Sequence, residues 1–246
     1  MKACFAELIG TAVLVLLGNG VVANVVLEKT KGHGGGWIVI TAGWAFAVFA
    51  AVVCSAELSG AHLNPAVTLG LAVNSQFDWV QVPGYIAAQL LGGFIGAIAV
   101  YAFYRDHYAA TSDANSKMAT FCTSPAVRNL PNNFFCELLG TLVLVLAALS
   151  FVPPTLPHES GSLVKVGLGS MGAVRVALVV FSIGLSLGGT TGYAINPARD
   201  LGPRLAHALL PIRNKRDSDW GYAAVPVLGP IAGAVVAVLI YKLMNW

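Results

Sequence analysis

Two ten-residue stretches determine the architecture of this chain: Ser59-Gly60-Ala61-His62-Leu63-Asn64-Pro65-Ala66-Val67-Thr68 and Thr191-Gly192-Tyr193-Ala194-Ile195-Asn196-Pro197-Ala198-Arg199-Asp200. Each contains Asn-Pro-Ala followed by a short apolar segment. Asn is a strong helix N-cap and Pro is favoured at the first helical position, so a helix is predicted to begin at each motif. The predicted segments, Asn64–Val73 and Asn196–Leu205, are about ten residues or roughly 15 Å long. Because this is half a bilayer, we predict two half-helices that begin at membrane depth.

The composition surrounding these motifs is that of a membrane protein. Of the 246 residues, 57% are hydrophobic and only 10% are charged, whereas a soluble domain has about 25% charged residues. This excludes most soluble enzymes and all disordered classes. The net charge of +3 is small and scattered, and no basic run with interleaved aromatics indicates nucleic-acid binding.

Six longer apolar runs flank the two half-helices. A membrane helix needs about 20 mostly apolar residues, and six stretches meet or approach that length. They are Cys4–Leu27, Trp37–Ala56, Val80–Phe103, Phe134–Val152, Val174–Gly188 and Tyr222–Met244. The sequence therefore predicts an all-α membrane protein with six transmembrane helices and two re-entrant half-helices.

The chain contains an internal repeat. Phe5-Ala6-Glu7-Leu8-Ile9-Gly10-Thr11 recurs as Phe135-Cys136-Glu137-Leu138-Leu139-Gly140-Thr141, and Asn-Pro-Ala recurs 132 residues after its first copy. The first repeat covers about residues 1–110 and the second about residues 130–246, within a single membrane domain. Because each repeat holds three spans, the second enters from the opposite side of the membrane. The half-helices are then expected to meet N-terminus to N-terminus near the midplane, a geometry typical of permeation sites.

Two helix N-termini create a positive field at the midplane. Cations would meet a barrier there, whereas neutral molecules that form hydrogen bonds would pass, aided by the amides of Asn64 and Asn196. No plausible Ser/His/Asp set and no nucleotide, haem or metal spacing is present. We therefore expect no enzymatic activity, no catalytic residue, no cofactor and no metal.

With its two Asn-Pro-Ala motifs in matching repeat positions, the chain resembles the major intrinsic proteins, the family of aquaporins and glycerol facilitators. The resemblance extends from Phe5 to Leu243. It implies the aquaporin-like fold, passive transport, and a homotetramer with one pore per chain. It places Asn64, Pro65, Ala66, Asn196, Pro197 and Ala198 at the pore midplane. It implies a pore lined by the backbone of Gly60, Ala61, His62, Leu63, Gly192, Ala194 and Ile195.

The resemblance also implies a selectivity filter near the outer mouth, formed by Trp44, Gly184, Tyr193 and Arg199. Water-selective members are similar in having His at the position of Gly184. In this chain, Trp44 and Tyr193 are expected to form an apolar corner with Arg199 opposite, which suits a polyol. Asp200, after the arginine, is typical of glycerol-conducting members.

The expected function is a passive channel for glycerol and other small neutral solutes that also passes water and excludes ions and protons. Glycerol facilitators often have Phe where this chain has Tyr193, so the preferred solute stays open. The alternatives are a water-selective channel, or a channel mainly for urea, dihydroxyacetone or lactic acid. A coupled transporter and an adhesion role are less well supported.

Glu7 and Glu137 occupy equivalent repeat positions inside apolar spans. Two interpretations are open: a proton relay, or carboxyl groups that accept hydrogen bonds from backbone N–H groups of the pore loops. The resemblance favours the second, structural role.

The orientation involves a conflict. The resemblance places both termini in the cytoplasm, but most Lys and Arg residues then lie on the opposite side, against the positive-inside rule. We follow the resemblance and expect a multi-pass protein of the bacterial inner membrane.

Overall fold

The computed structural model describes residues 1–157 and 163–245, and this part of the chain is mostly helical. Its helices are α1 (Lys2–Val26), α2 (Trp37–Ser59), α3 (Pro65–Val73), α4 (Val82–Phe103), α5 (Arg105–Ala110), α6 (Ala114–Ala119), α7 (Leu130–Leu149), α8 (Gly172–Ser186), α9 (Pro197–Leu209) and α10 (Ala224–Met244). Short 3₁₀ turns, Trp79–Gln81 and Gly169–Met171, precede α4 and α8. With these turns included, six helices are long and apolar enough to cross a membrane, as predicted.

Both half-helices begin at the predicted motifs, but the second is longer than expected. The helix α9 continues to Leu209 instead of ending at Leu205. Lys215 explains the extension, because its Nζ donates to the carbonyl oxygens of Ala208 at 2.8 Å and Leu210 at 2.7 Å. A cation at a helix C-terminus satisfies carbonyls that have no partner within the helix. Because this cap comes from a residue beyond the helix, the apolar pattern could not predict it.

The connections contain structure that the sequence pattern did not predict. The segment between α4 and α7 holds the short helices α5 and α6, and Asp113 caps α6 by accepting from the backbone N–H of Ser116 at 2.9 Å. Two short antiparallel strands, β1 (Thr155–Pro157) and β2 (Leu163–Lys165), pair between α7 and α8. The all-α prediction holds for the membrane part only.

The two halves pack in the same way and interlock. The helix α1 packs on α2 and α4, and α7 packs on α8 and α10. Each half-helix packs on the third span of the other half: α3 on α10, and α9 on α4. This crossed arrangement holds the two half-helices together in the centre.

Glycines allow the closest helix contacts. A Cβ atom at Gly96 of α4 would lie 2.5 Å from the carbonyl oxygen of Ala12 in α1, and one at Gly229 of α10 would lie 2.8 Å from Cβ of Glu137 in α7. Small residues let membrane helices approach closely. Glycines thus lie at the contact of α1 with α4 and at the corresponding contact of α7 with α10, where they serve helix packing.

Candidate functional site

The two half-helices meet through their capping asparagines. Asn64 Nδ2 donates to the carbonyl oxygen of Ile195 at 2.8 Å, and Asn196 Nδ2 donates to that of Leu63 at 2.8 Å. A side-chain amide has two N–H donors, so each asparagine keeps a second one after making this bond. Both asparagines border the larger cavity described below. The predicted midplane junction is therefore built from two reciprocal hydrogen bonds.

Each asparagine also caps its own half-helix. Asn64 Oδ1 accepts from the backbone N–H of Ala66 at 2.9 Å, and Asn196 Oδ1 accepts from that of Ala198 at 3.0 Å. Because capping uses the amide oxygen, the amide nitrogen is directed across the junction. Pro65 and Pro197 stand at the first helical positions, as predicted. Both prolines and the two alanines of the motifs are buried and border neither cavity described below.

The loops before the asparagines adopt a strained backbone. Leu63 has φ of 52° and Ile195 has φ of 42°, in the left-handed region. A β-branched residue such as Ile195 rarely adopts this conformation, and such strain costs about 1–3 kcal/mol per residue. Gly60 and Gly192, with φ of 79° and 80°, occupy equivalent positions in the two loops. The repeat therefore preserves a backbone shape as well as a motif.

Glu7 holds the first strained loop. Its Oε1 accepts from the backbone N–H of His62 at 2.9 Å and from Ser59 Oγ at 2.6 Å. Its Oε2 accepts from the backbone N–H of Leu63 at 2.6 Å and from Gln89 Nε2 at 2.7 Å. The completely buried carboxyl group thus has four donors around it.

Glu137 repeats this arrangement in the second half. Its oxygens accept from the backbone N–H groups of Ala194 at 3.0 Å and Ile195 at 2.7 Å, and it is also completely buried. Loops without internal hydrogen bonds need such acceptors at membrane depth. The geometry of both residues agrees with the structural interpretation and gives the proton relay no support.

Two cavities lie along the expected permeation path. The larger one has a volume of about 460 Å³ and is called the inner cavity, because the expected orientation places it on the cytoplasmic side. It is bordered by the predicted backbone positions Gly60, Ala61, His62, Leu63, Ala194 and Ile195. The outer cavity, of about 300 Å³, is bordered by Gly192. Trp44, Tyr193 and Arg199 border both cavities. These three side chains therefore lie at the boundary between the cavities, which we call the constriction.

Arg199 was expected to lie opposite Trp44, but it lies against the Trp44 ring instead. Its guanidinium carbon lies 4.0 Å from the centroid of the Trp44 ring, so the two groups are stacked. Such a cation–π contact is worth roughly 2 kcal/mol when it is desolvated, and both side chains are buried. The constriction therefore has the Trp44 ring and the Arg199 guanidinium next to each other.

Most donors of Arg199 have no protein partner among the described residues. Its Nη1 donates to Asn19 Oδ1 and to the carbonyl oxygen of Phe121, both at the long distance of 3.4 Å. A guanidinium has five N–H donors, and Arg199 forms no salt bridge within residues 1–157 and 163–245. Its remaining donors are available to a molecule in the cavities.

Gly184, which the family resemblance assigns to the selectivity filter, borders neither of the two cavities and contacts the constriction through Tyr193. A Cβ atom here would lie 3.0 Å from Cζ of Tyr193 and 2.9 Å from Cγ2 of Thr41. Trp37 Nε1 donates to the Gly184 carbonyl oxygen at 2.9 Å. The tyrosine ring therefore occupies the space that a side chain at position 184 would need.

The Tyr193 hydroxyl points away from the open cavities. It is buried and has no hydrogen-bond partner within the described residues, and it would lie 3.1 Å from a Cβ atom at Gly184. The ring makes an edge contact with Trp37, at 5.9 Å between centroids. Tyr193 thus contributes its ring to the constriction and buries its hydroxyl behind it.

Tyr193→Phe is therefore expected to change solute preference little. We expect the ratio of glycerol to water permeability to stay within about twofold, and stability to rise slightly because a buried unsatisfied hydroxyl is removed. Solute fluxes of reconstituted protein and thermal unfolding in detergent measure the two effects. A tenfold change in the ratio would mean that the hydroxyl reaches the passing solute.

Asp200 organises the outer connection and borders neither cavity. Its Oδ2 accepts from the backbone N–H of Thr123 at 2.8 Å, and its Oδ1 accepts from Arg204 Nε at 2.8 Å in a completely buried pair. Arg128 binds Asp219 nearby at 2.8 Å, and its hydrogen bonds lower the pKa of the Asp219 carboxyl group below its ordinary value. These bonds stabilise the connection before α7, part of which borders the outer cavity.

His62 borders the inner cavity, and its side chain is held by several contacts. Its ring packs on Phe77 and Tyr85 at centroid distances of 4.6 Å and 5.0 Å. Its Nδ1 lies 3.1 Å from Thr68 Oγ1. The His62 side chain therefore packs the first pore loop against its surroundings.

Two residues of α1 contact the constriction although the sequence did not predict them as site residues. Gly18 lies against the Trp44 ring, and Asn19 contacts Arg199. Asn19 could have been noticed as an amide in the middle of the apolar run of α1. The contact from the Phe121 carbonyl oxygen has no sequence signal, because any residue supplies that atom.

Comparisons with known proteins agree with this geometry. The model of the family described as Major intrinsic protein matches residues 1–241. The chain is 52% identical over 246 residues to the probable glycerol uptake facilitator protein of Thermotoga maritima, covering 100% of this chain and 99% of that protein. It is 49% identical over 243 residues to the glycerol uptake facilitator protein of Streptococcus pneumoniae, covering 99% of each. The X-ray structure of the aquaglyceroporin from Plasmodium falciparum matches with a TM-score of 0.83 and 35% identity, covering 98% of this chain and 95% of that one.

Six membrane helices, two half-helices joined at their N-termini and two cavities that share one constriction define an integral multi-pass membrane protein of the channel class. The similarity extends over nearly the whole chain. The chain belongs to the major intrinsic protein family.

Proposed function

We propose that the chain is a passive channel for glycerol and other small neutral solutes, and that water also passes. The observation that carries this proposal is the constriction between the cavities, where the Trp44 and Tyr193 rings stand beside a guanidinium with free donors. The two bacterial relatives are both named as glycerol uptake facilitators, which supports the same solute.

The chemistry of the constriction suits a polyol. Glycerol has a carbon backbone that can lie against the two aromatic rings and hydroxyl oxygens that can accept from Arg199. Without a side chain at Gly184, the Tyr193 ring lies back against α8, where it leaves room for the solute. Neither proton transfer nor covalent chemistry is needed, so we propose a transporter without catalytic residues or cofactors.

Ion exclusion is proposed to arise at two places. The N-termini of α3 and α9 meet at the asparagine junction, and each carries about half a positive charge. Arg199 adds a full charge at the constriction, without a carboxylate partner in the described part of the chain. Together these charges would oppose cations while neutral solutes pass.

The assembly and orientation follow the family resemblance. We propose a single channel domain over residues 1–246, a homotetramer with one pore per chain, and both termini in the cytoplasm of a bacterial cell. Large apolar side chains such as Phe46, Phe103 and Leu243 are exposed and suit contact with lipid or neighbouring subunits.

Uptake of labelled glycerol tests the proposed function. Bacteria that lack a glycerol facilitator are given the chain, and initial uptake is compared with that of cells carrying an empty vector. We expect uptake that rises linearly with concentration, does not saturate and needs no ion gradient. Uptake that equals the vector control, in cells where the protein reaches the membrane, would contradict the proposal.

A water-selective channel is the second candidate. The observation that favours it is that the bulky Tyr193 ring borders both cavities and so forms part of the constriction between them. Rapid water flux without glycerol flux in the same vesicles would select this candidate.

Arg199→Val is expected to weaken the exclusion of cations or protons. Loss of the unpaired charge should raise leak about tenfold, equivalent to about 1.4 kcal/mol of barrier. A pH-sensitive dye inside proteoliposomes measures the leak, and Arg105→Val on the exposed surface is the matched control. Unchanged exclusion would place the whole barrier at the Asn64–Asn196 junction.

A further inference from the structure

Asn19 is a polar residue placed where a membrane helix would normally have an apolar one. It lies in the middle of α1 and is completely buried. Polar side chains inside a membrane protein need partners, and their hydrogen bonds often link helices to other segments. The partners of Asn19 therefore indicate what the residue does.

The Asn19 amide joins two different parts of the site. Its Nδ2 donates to the carbonyl oxygen of Phe121 at 3.0 Å, and its Oδ1 accepts from Arg199 Nη1 at 3.4 Å. A carbonyl oxygen only accepts and a guanidinium only donates, so the orientation of the amide is fixed. The same Phe121 oxygen also accepts from Arg199 Nη1 at 3.4 Å. These three groups form a closed triangle at the constriction.

The neighbouring residue in α1 supports the other half of the stack. A Cβ atom at Gly18 would lie 2.5 Å from Cη2 of Trp44, so the ring lies directly on the α1 backbone. Gly18 thus makes room for Trp44, and Asn19 contacts the guanidinium that lies on Trp44. Of these two consecutive residues of α1, Gly18 contacts Trp44 and Asn19 contacts Arg199.

We propose that Asn19 is a positioning residue that holds the Arg199 guanidinium over Trp44 and thereby sets the solute preference of the constriction. This inference rests on the proposed channel function. By holding Nη1 on the side of α1, Asn19 leaves the other donors of Arg199 directed toward the cavities. Asn19 itself borders neither cavity and acts through Arg199.

Asn19→Leu tests the positioning role. Leucine has a similar volume but removes the acceptor for Arg199 and the donor for Phe121. We expect the ratio of glycerol to water permeability in proteoliposomes to fall about fivefold. This factor corresponds to about 1 kcal/mol for the lost hydrogen bond between Asn19 and Arg199. Asn24→Leu is the matched control, because Asn24 lies on the same helix and its side chain forms no hydrogen bond with Arg199.

Asn19→Asp tests the contact with Arg199 by charge. A carboxylate has nearly the same shape, and at this position it would pair with the guanidinium and neutralise its charge. We expect the leak of K⁺ to rise about tenfold in this variant and to stay unchanged in Asn19→Leu, which keeps the charge of Arg199.

The two readouts separate positioning from a general loss of folded protein. Fewer folded channels lower glycerol and water permeability in proportion and leave their ratio unchanged. An unchanged ratio in Asn19→Leu, together with an unchanged K⁺ leak in Asn19→Asp, would overturn the proposal. If the unsubstituted chain conducts water but no glycerol, the proposed function fails, and the K⁺ leak of Asn19→Asp still judges the role of Asn19.

Discussion

Gly184→His is expected to lower glycerol permeability at least tenfold and to change water permeability much less. The substituted Cβ would lie 3.0 Å from Tyr193 Cζ and 2.9 Å from Thr41 Cγ2, closer than ordinary packing allows. Thr41 and Tyr193 are both buried, so the new side chain has to displace at least one of them, and Tyr193 borders both cavities. The imidazole and any displacement of the Tyr193 ring then narrow a constriction that a three-carbon solute must pass. A tenfold loss corresponds to about 1.4 kcal/mol of barrier.

Stopped-flow light scattering measures both permeabilities in one vesicle preparation. Gly20→His is the matched control, because nothing lies within 4 Å of a Cβ atom at Gly20. If the two permeabilities fall equally, or if neither falls, Gly184 does not determine the width of the constriction.

Glu7→Gln is expected to destabilise the fold by about 2–6 kcal/mol, from two unsatisfied donors, and to abolish flux. The Glu7 carboxyl group accepts from four donors, two at each oxygen. In either orientation, the glutamine amide turns its own donors toward two of these four groups. Each buried donor left unsatisfied costs about 1–3 kcal/mol. The strained backbone at Leu63 then loses support next to the asparagine junction.

Thermal unfolding in detergent and the yield of correctly inserted protein measure this loss. Glu57→Gln is the matched control, since Glu57 is an exposed carboxyl group on α2. A stable Glu7→Gln variant that conducts normally would show that the loop keeps its shape without the carboxyl group. A stable variant with altered proton leak alone would revive the proton-relay interpretation.

The sequence predicted the membrane architecture because its signals are local or repeated. Apolar length identifies the six spans, and Asn-Pro identifies the starts of α3 and α9 with their caps. The repeat then requires the inversion that brings Asn64 and Asn196 together. The structural role that the family resemblance favoured for Glu7 and Glu137 agrees with their hydrogen bonds to the two loops.

The constriction was less predictable because distant segments form it. Trp44, Tyr193 and Arg199 do line it, but the stacking of Arg199 on Trp44 depends on Gly18 and on a carbonyl oxygen of the connection before α7. The packing of Tyr193 against Gly184 likewise depends on how α8 approaches the second loop. The Lys215 cap that extends α9 comes from a later connection. None of these contacts has a spacing that can be read from the sequence.

The central claim is that the constriction of Trp44, Tyr193 and Arg199 passes glycerol. The most direct measurement is stopped-flow light scattering on purified protein in liposomes, with an impermeant osmolyte and an inward glycerol gradient applied to the same vesicles. We expect the vesicles to shrink rapidly with the impermeant osmolyte, and to shrink and then re-swell rapidly with the glycerol gradient. Rapid shrinkage followed by re-swelling no faster than in protein-free liposomes would contradict it and identify a water-selective channel.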